Sequence, residues 1–230
     1  HRPWSKHCIH CVMAGLSSKP ASRNAPAKTG DSCDGWVATY DMKGPMAPDI
    51  NGNKWAMVMC EARSKFGKIQ LSKTKSSSNT LNGIKMFLTE LRRVTGTSRA
   101  TLVRMHGDSG KEFEGEMSAW AHDSLIPVST TGGYRAKANP IIERRIKSLL
   151  TASRAMMLMC AGNDETHYED LWGYAMMAAN ESLNHTDWES IGTSPYTRLT
   201  GKPKRTDSRF SHKFGALVIC HEAKPKRTHN

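Results

Sequence analysis

Long apolar runs are missing from this chain. No stretch among its 230 residues approaches the roughly 18 that a bilayer span needs, and nothing at its start reads as a secretory signal. Neither a helical membrane anchor nor a cleaved leader is expected. Cysteine is sparse: the six, at 8, 11, 33, 60, 160 and 220, are too unevenly spaced for a disulfide scaffold. Cys60, Cys160 and Cys220 lie in or at the end of apolar runs, as small core residues do, so a reducing compartment is expected. No Gly-x-Ser-x-Gly occurs and no cysteine has a suitable partner, which speaks against covalent nucleophilic catalysis. No internal repeat is present. Acids are also short, 21 Asp and Glu against 33 Lys and Arg, and the resulting charge of +12 points to a polyanionic partner. More than half of that excess lies from Arg198 to Asn230, where nine Lys and Arg face two acids.

What is present suffices for one sizeable domain: 38% of residues are hydrophobic, enough for a real core. The first residue is His1 rather than Met and the end, at Lys224-Pro225-Lys226-Arg227, is abrupt, so a segment of a longer polyprotein is expected. Residues 1–34 hold a Cys/His cluster and a loop rich in Ser, Pro, Ala and Lys. Trp36 to Asp41 alternates as a strand does. Asn51-Gly52-Asn53 is a hairpin signal leading into a second strand, Lys54 to Glu61, and a third is expected at Ile69 to Leu71. Ser76-Ser77-Ser78 can cap a helix from about Asn79 to Val94 with an apolar stripe. A fourth strand, Ala100 to Met105, a helix from Gly110 to Ala121 and a strand from Leu125 to Ser129 follow. Asn139 and Pro140 then open another helix, and a last one is expected from about Glu165 to Leu183.

Three acids carry the chemistry. Asp41 lies in Tyr40-Asp41-Met42-Lys43-Gly44-Pro45, Asp108 in His106-Gly107-Asp108-Ser109-Gly110-Lys111-Glu112-Phe113, and Glu143 in Asn139-Pro140-Ile141-Ile142-Glu143-Arg144. Asp41 ends the first strand, Asp108 follows the fourth, and Glu143 falls in the first turn of its helix. In open α/β sheets function gathers beyond the carboxyl ends of strands. If the two strands are neighbours, all three carboxylates meet at one edge. Carboxylates so close raise one another's pKa unless a cation compensates. Mg²⁺, with Mn²⁺ as substitute, suits such oxygen ligands.

The local patterns, Asp-x-x-Gly-Pro, Asp-x-Gly-x-Glu-Phe and Tyr-x4-Asn-x3-Glu-Arg, resemble those of retroviral-type integrase cores, and most closely the integrases of copia-type long-terminal-repeat retrotransposons. The resemblance runs from Cys8 to about residue 222. It implies an α/β, ribonuclease-H-like fold with a mixed five-stranded sheet flanked by helices, in keeping with three hairpin-linked strands followed by αβαβαα. It also implies three parts: a remnant of a zinc-binding module and linker (1–34), a catalytic core (35–197) and a basic C-terminal extension (198–230). The implied activity is metal-dependent joining of retrotransposon DNA 3′ ends to target DNA, with Asp41, Asp108 and Glu143 as catalytic metal ligands. A homo-oligomer acting in the nucleus of a eukaryotic host, reached by way of a cytoplasmic particle, is implied too. Glu61 and Glu112 have weaker claims and are expected to play supporting roles.

Departures from the family pattern cluster before the third acid. Related integrases read Pro-Tyr-x-Pro-Gln-x-Asn-Gly-x-x-Glu-Arg, whereas this chain keeps Tyr134, Asn139, Glu143 and Arg144 but has Ala136-Lys137 for Pro-Gln and Pro140 for Gly. The Gly132-Gly133 pair makes the loop before Asn139 the expected mobile part of the core. Lys137, Arg144, Arg145 and Lys147 are the candidate DNA contacts, all directed at phosphate and carrying no sequence information. At the N-terminus, Cys8 and Cys11 form a Cys-x2-Cys, the soft half of a tetrahedral Zn²⁺ site. By resemblance they belong to a His-His-Cys-Cys module. Two other readings stand beside the enzyme: a catalytically inactive DNA-binding relic of such an element, and a ribonuclease-H-like nuclease that shares the metal site.

Overall fold

The computed structural model describes residues 35–108, 110, 115–131, 139–161, 169–203 and 214–215. Five strands form one sheet in the order β3-β2-β1-β4-β5: β1 (Trp36–Lys43), β2 (Trp55–Glu61), β3 (Gly67–Ser72), β4 (Leu102–Asp108) and β5 (Val128–Thr131). The first three run antiparallel as a meander, whereas β4 joins β1 and β5 joins β4 in parallel. The sheet is therefore mixed, as expected. Among the described residues the helices are α1 (Ser77–Thr95), α2 (Glu116–Asp123), α3 (Pro140–Ala161), α4 (Trp172–Asn184), which a short 3-10 turn (Glu169–Leu171) precedes, and α5 (Pro195–Thr200).

Alternation along the strands separates two cores. Met57 and Met59 of β2 point into one layer, with Tyr40, Ile84, Phe87, Leu91, Met105 and Met117, beneath α1 and α2. Ala56, Val58 and Cys60 point to the opposite layer, where Ile142 and Leu149 of α3 meet Trp172, Met176 and Ala179 of α4. A period of two on the strand thus assigns every second residue to one helix layer. Burial raises the Cys60 thiol to about 11, so it remains a neutral core group.

Local signals set the ends of the elements. Ser76 Oγ accepts from Asn79 N–H at 3.2 Å, the cap read from the serine run, and Gly96 closes α1 at φ 75°. Asp49 builds the turn at 49–53: its Oδ1 accepts from Asn51 and Asn53 N–H at 2.9 and 2.7 Å. Several boundaries moved. β4 extends through Asp108 rather than stopping at Met105, β5 runs Val128–Thr131, and α2 begins at Glu116. α5 had not been expected and spans the anticipated boundary between 197 and 198. Gly215 lies against the end of α3, where a Cβ would fall 2.2 Å from Cys160 Sγ. No helix among the described residues is long and apolar enough to cross a membrane.

Candidate functional site at the carboxyl ends of β1 and β4

The parallel pairing of β1 and β4 brings two of the three acids together. Thr39 pairs with His106, and two residues further along each strand stand Asp41 and Asp108. Asp108 pairs on its other side with Thr131 of β5, so it occupies the centre of the sheet's carboxyl end. Asp41 faces Val58 across the β1–β2 ladder, and Val58 belongs to the layer under α3. Partners across a ladder share a face, so Asp41 lies on the side that α3 covers. It is half-buried, with Oδ1 accepting from Met42 N–H at 2.7 Å.

Glu143 lies in the first turn of α3, whose start is tied to β4. Asn139, just before the helix, is buried, and its Nδ2 donates to the His106 carbonyl at 3.5 Å. That bond ties the start of α3 to β4 two residues short of Asp108. Glu143 N–H donates to the Asn139 carbonyl at 3.2 Å, closing the first turn, and the Glu143 side chain is exposed. His106 Nδ1 lies 2.9 Å from Ser129 Oγ, bracing β4 against β5 at this level. Gly107 lets the strands approach: a Cβ there would fall 2.1 Å from Cε2 of Tyr40, a fully buried ring whose hydroxyl burial pushes up to about 12.

The other candidates separate cleanly. Arg144 and Lys147 are exposed on α3, on either side of the helix turn that follows Glu143. Arg145, expected to contact DNA, is only 1% exposed and cannot do so. Its Nη2 donates to Asn180 Oδ1 at 2.6 Å and Asn184 Oδ1 at 2.8 Å, Nη1 donates to the Lys65 carbonyl at 3.2 Å, and the guanidinium lies 5.5 Å from the Trp188 ring. Burial lowers its pKa to about 10. The error arose because helix periodicity turns adjacent residues 100° apart, so 144 and 145 cannot share an environment. Nothing adjacent in sequence marks it as a buried cation, because the two asparagines that receive it lie on α4.

Glu61 is buried and fully engaged, accepting from Ser64 N–H and Oγ at 2.6 Å each and pairing with Arg63 at 3.7 Å. It holds the β2–β3 turn at the far end of the sheet and is structural. Cys8, Cys11, Glu112 and Lys137, together with the Gly132-Gly133 loop, lie outside the described residues.

Hard carboxylate oxygens are the ligand type that Mg²⁺ and Mn²⁺ take, and the three acids named from the sequence stand on β1, β4 and α3. Among the described residues no group of three or more His, Cys, Asp or Glu side chains is gathered closely enough to hold a metal ion.

No protein-family model and no curated protein matches the chain. Solved structures do. The integrase catalytic core domain of HTLV-2, in its trimeric form in complex with magnesium, superposes with a TM-score of 0.53 at 14% identity, over 71% of this chain and 95% of that one. The catalytic core domain of BIV integrase gives 0.50 at 18%, over 70% and 90%. A chain of the simian T-cell lymphotropic virus intasome gives 0.56 at 16%, over 84% and 60%. At such identities the likeness is one of fold: a mixed five-stranded sheet flanked by helices, the ribonuclease-H-like architecture of retroviral integrase cores.

Proposed function

We propose that the chain is the catalytic core of an integrase from a copia-type long-terminal-repeat retrotransposon, a polynucleotidyl transferase that joins 3′ ends of element DNA to target DNA. The observation that carries the reading is the parallel β1–β4 pairing, in which Thr39 lies opposite His106, two residues before Asp41 and Asp108 on their strands, while Asn139 ties the start of the helix that carries Glu143 to the His106 carbonyl. Three acids from distant segments, in family order and at one sheet end, are more than a solvated surface requires. The solved cores of like fold include one in complex with magnesium, which agrees with the ligand chemistry.

In the proposed reaction a DNA 3′-hydroxyl attacks a target phosphodiester in line. The new P–O bond forms as the bond to the target 3′-oxygen breaks, and no covalent enzyme intermediate is needed. Asp41, Asp108 and Glu143 would hold two Mg²⁺ ions, which when bound stabilise the attacking and leaving oxygens. Arg144 and Lys147 project from the same stretch of α3 and would take the flanking phosphates, orienting the duplex without reading its sequence. Two DNA ends must be joined in one event, so the working form would be at least a dimer. Zn²⁺ at Cys8 and Cys11 would belong to a separate N-terminal module.

The test is a joining assay. Oligonucleotide duplexes with free 3′-hydroxyls, incubated with plasmid, the full chain and Mg²⁺, are expected to become covalently attached to the plasmid. Asp41→Asn, Asp108→Asn and Glu143→Gln should each abolish attachment while the protein stays folded. A folded wild-type chain that binds both DNAs yet joins none with Mg²⁺ or Mn²⁺ would instead favour the inactive DNA-binding relic.

A further inference from the structure

Several basic residues of the described chain are engaged by the fold, and others are not. Near the amino ends of β1 and β4, five of them are held by carboxylates or carbonyls. Arg63 pairs with Glu61 and donates to the Gly35 carbonyl, and Lys65 donates to the Ala62 carbonyl. Lys68 and Arg93 share Glu90 at 3.6 and 2.5 Å, and Arg92 Nε donates to the Ala100 carbonyl at 2.8 Å. Arg93 holds the Glu90 carboxyl below its ordinary range.

The carboxyl pole is different. Lys43 ends β1, Lys54 precedes β2, and Lys73 and Lys75 follow β3, and all four are exposed. Sheet pairing gathers them. Lys43 faces Ala56, Lys54 N–H donates to the Ser72 carbonyl at 2.9 Å, and the backbone at Gly44 crosses the Trp55 ring so closely that a Cβ would fall 2.7 Å from Cε3. Lys75 Nζ lies 5.4 Å from the centre of that ring, and the Lys73 stem runs beside Gly52. Among the described residues no carboxylate pairs with Lys43, Lys54 or Lys73. Lys43 is two residues beyond Asp41 on the same strand face, a step of about 7 Å. Like charges such as those of Lys43, Lys54 and Lys73 repel when held near one another, and an anion that bridges them relieves the cost.

We infer that Lys43, Lys54, Lys73 and Lys75, arranged around Trp55, form a phosphate track for duplex DNA on the side of the acids opposite Arg144 and Lys147. The duplex crosses the carboxyl end of the sheet, held from α3 on one flank and from the ends of β1, β2 and β3 on the other. The inference rests on the proposed DNA-joining function and adds the path that the substrate takes. Lys75 covers the Trp55 ring, so the track grips backbone and does not stack bases. Sequence alone did not show it, because the four lysines come from three segments spread over 33 positions, counting both ends, and no segment is a charge run.

The experiment compares two full-chain variants of equal charge. One replaces Lys43, Lys54, Lys73 and Lys75 by Gln. The control replaces Lys85, Arg99, Arg104 and Arg198, which are exposed elsewhere. Binding of a mixed-sequence 30-base-pair DNA duplex is measured across salt concentrations, and an RNA duplex of the same sequence is measured beside it. Each phosphate contact releases about 0.9 counterions, so the track variant should lose about 3 to 4 from the log–log salt slope and at least about tenfold in affinity at low salt. The control should lose much less. Equal losses in both variants, an unchanged track variant, or an RNA duplex bound more tightly than DNA and lost with the track would each overturn the inference. A wild-type chain that binds no duplex DNA at low salt would instead overturn the functional reading beneath it.

Discussion

At the scale of single residues, Arg145 teaches the most. Two positions after Glu143, a guanidinium with no carboxylate partner among the described residues is buried against Asn180, Asn184 and the Gly67 backbone. Its desolvation is offset by charge-assisted bonds to amide oxygens and by the Trp188 face, and its Nε has no hydrogen-bond partner. Removing it would leave Asn180 Oδ1 and Asn184 Oδ1 facing a void. Arg145→Ala is therefore expected to cost roughly 3 kcal/mol or more, read as a lowered urea midpoint. Arg145→Lys should recover only part of that, because one ammonium cannot reproduce the planar fork. An alanine variant as stable as the wild type would show that the network contributes nothing net. Sequence reasoning placed Arg145 on the DNA because its neighbours Glu143 and Arg144 match a motif; the motif says nothing about which helix face the next residue takes.

At the scale of elements, the strands and the acid-bearing helix were legible where local chemistry decides them. Alternation in Trp36 to Asp41, the Asn51-Gly52-Asn53 turn, the Ser76 cap and Pro140 at the start of α3 each act within a few residues. The ends of β4 and β5 were not, because they depend on pairing between segments over 20 positions apart: Asp108 counts as strand only because Thr131 lies beside it. The short α5 escaped notice because six residues carry too little periodicity to see. Element contact also explains a glycine. Tyr40 of β1 presses its ring on Gly107 of β4, immediately before Asp108, where a Cβ would overlap it at 2.1 Å. Gly107→Ala should cost about 1 to 3 kcal/mol by overpacking and should shift the end of β4. DNA joining is expected to fall by more than the folded fraction does, and the two can be compared on one preparation by urea titration and the joining assay. A variant with full joining activity would mean that the end of β4 tolerates displacement and does not fix the acid.

At the scale of the whole molecule, charge and topology agree. Near the amino ends of β1 and β4, Arg63 and Lys68 are held in ion pairs, while the carboxyl end of β1, beyond Asp41, leaves Lys43, Lys54, Lys73 and Lys75 exposed. The acids were visible in the sequence because each carries its own neighbours, whereas the placing of Asp41 and Asp108 on adjacent strands depends on a parallel β1–β4 pairing that composition cannot show. The most direct test of the central claim is a crystal structure of the full chain soaked in Mn²⁺, with anomalous scattering used to find the ion. The account predicts a peak bridging the carboxylates of Asp41 and Asp108, with Glu143 at it or at a second peak beside it, and loss of the bridging peak in Asp108→Asn. Well-ordered carboxylates with no peak between them, or a peak at another place on the fold, would contradict it.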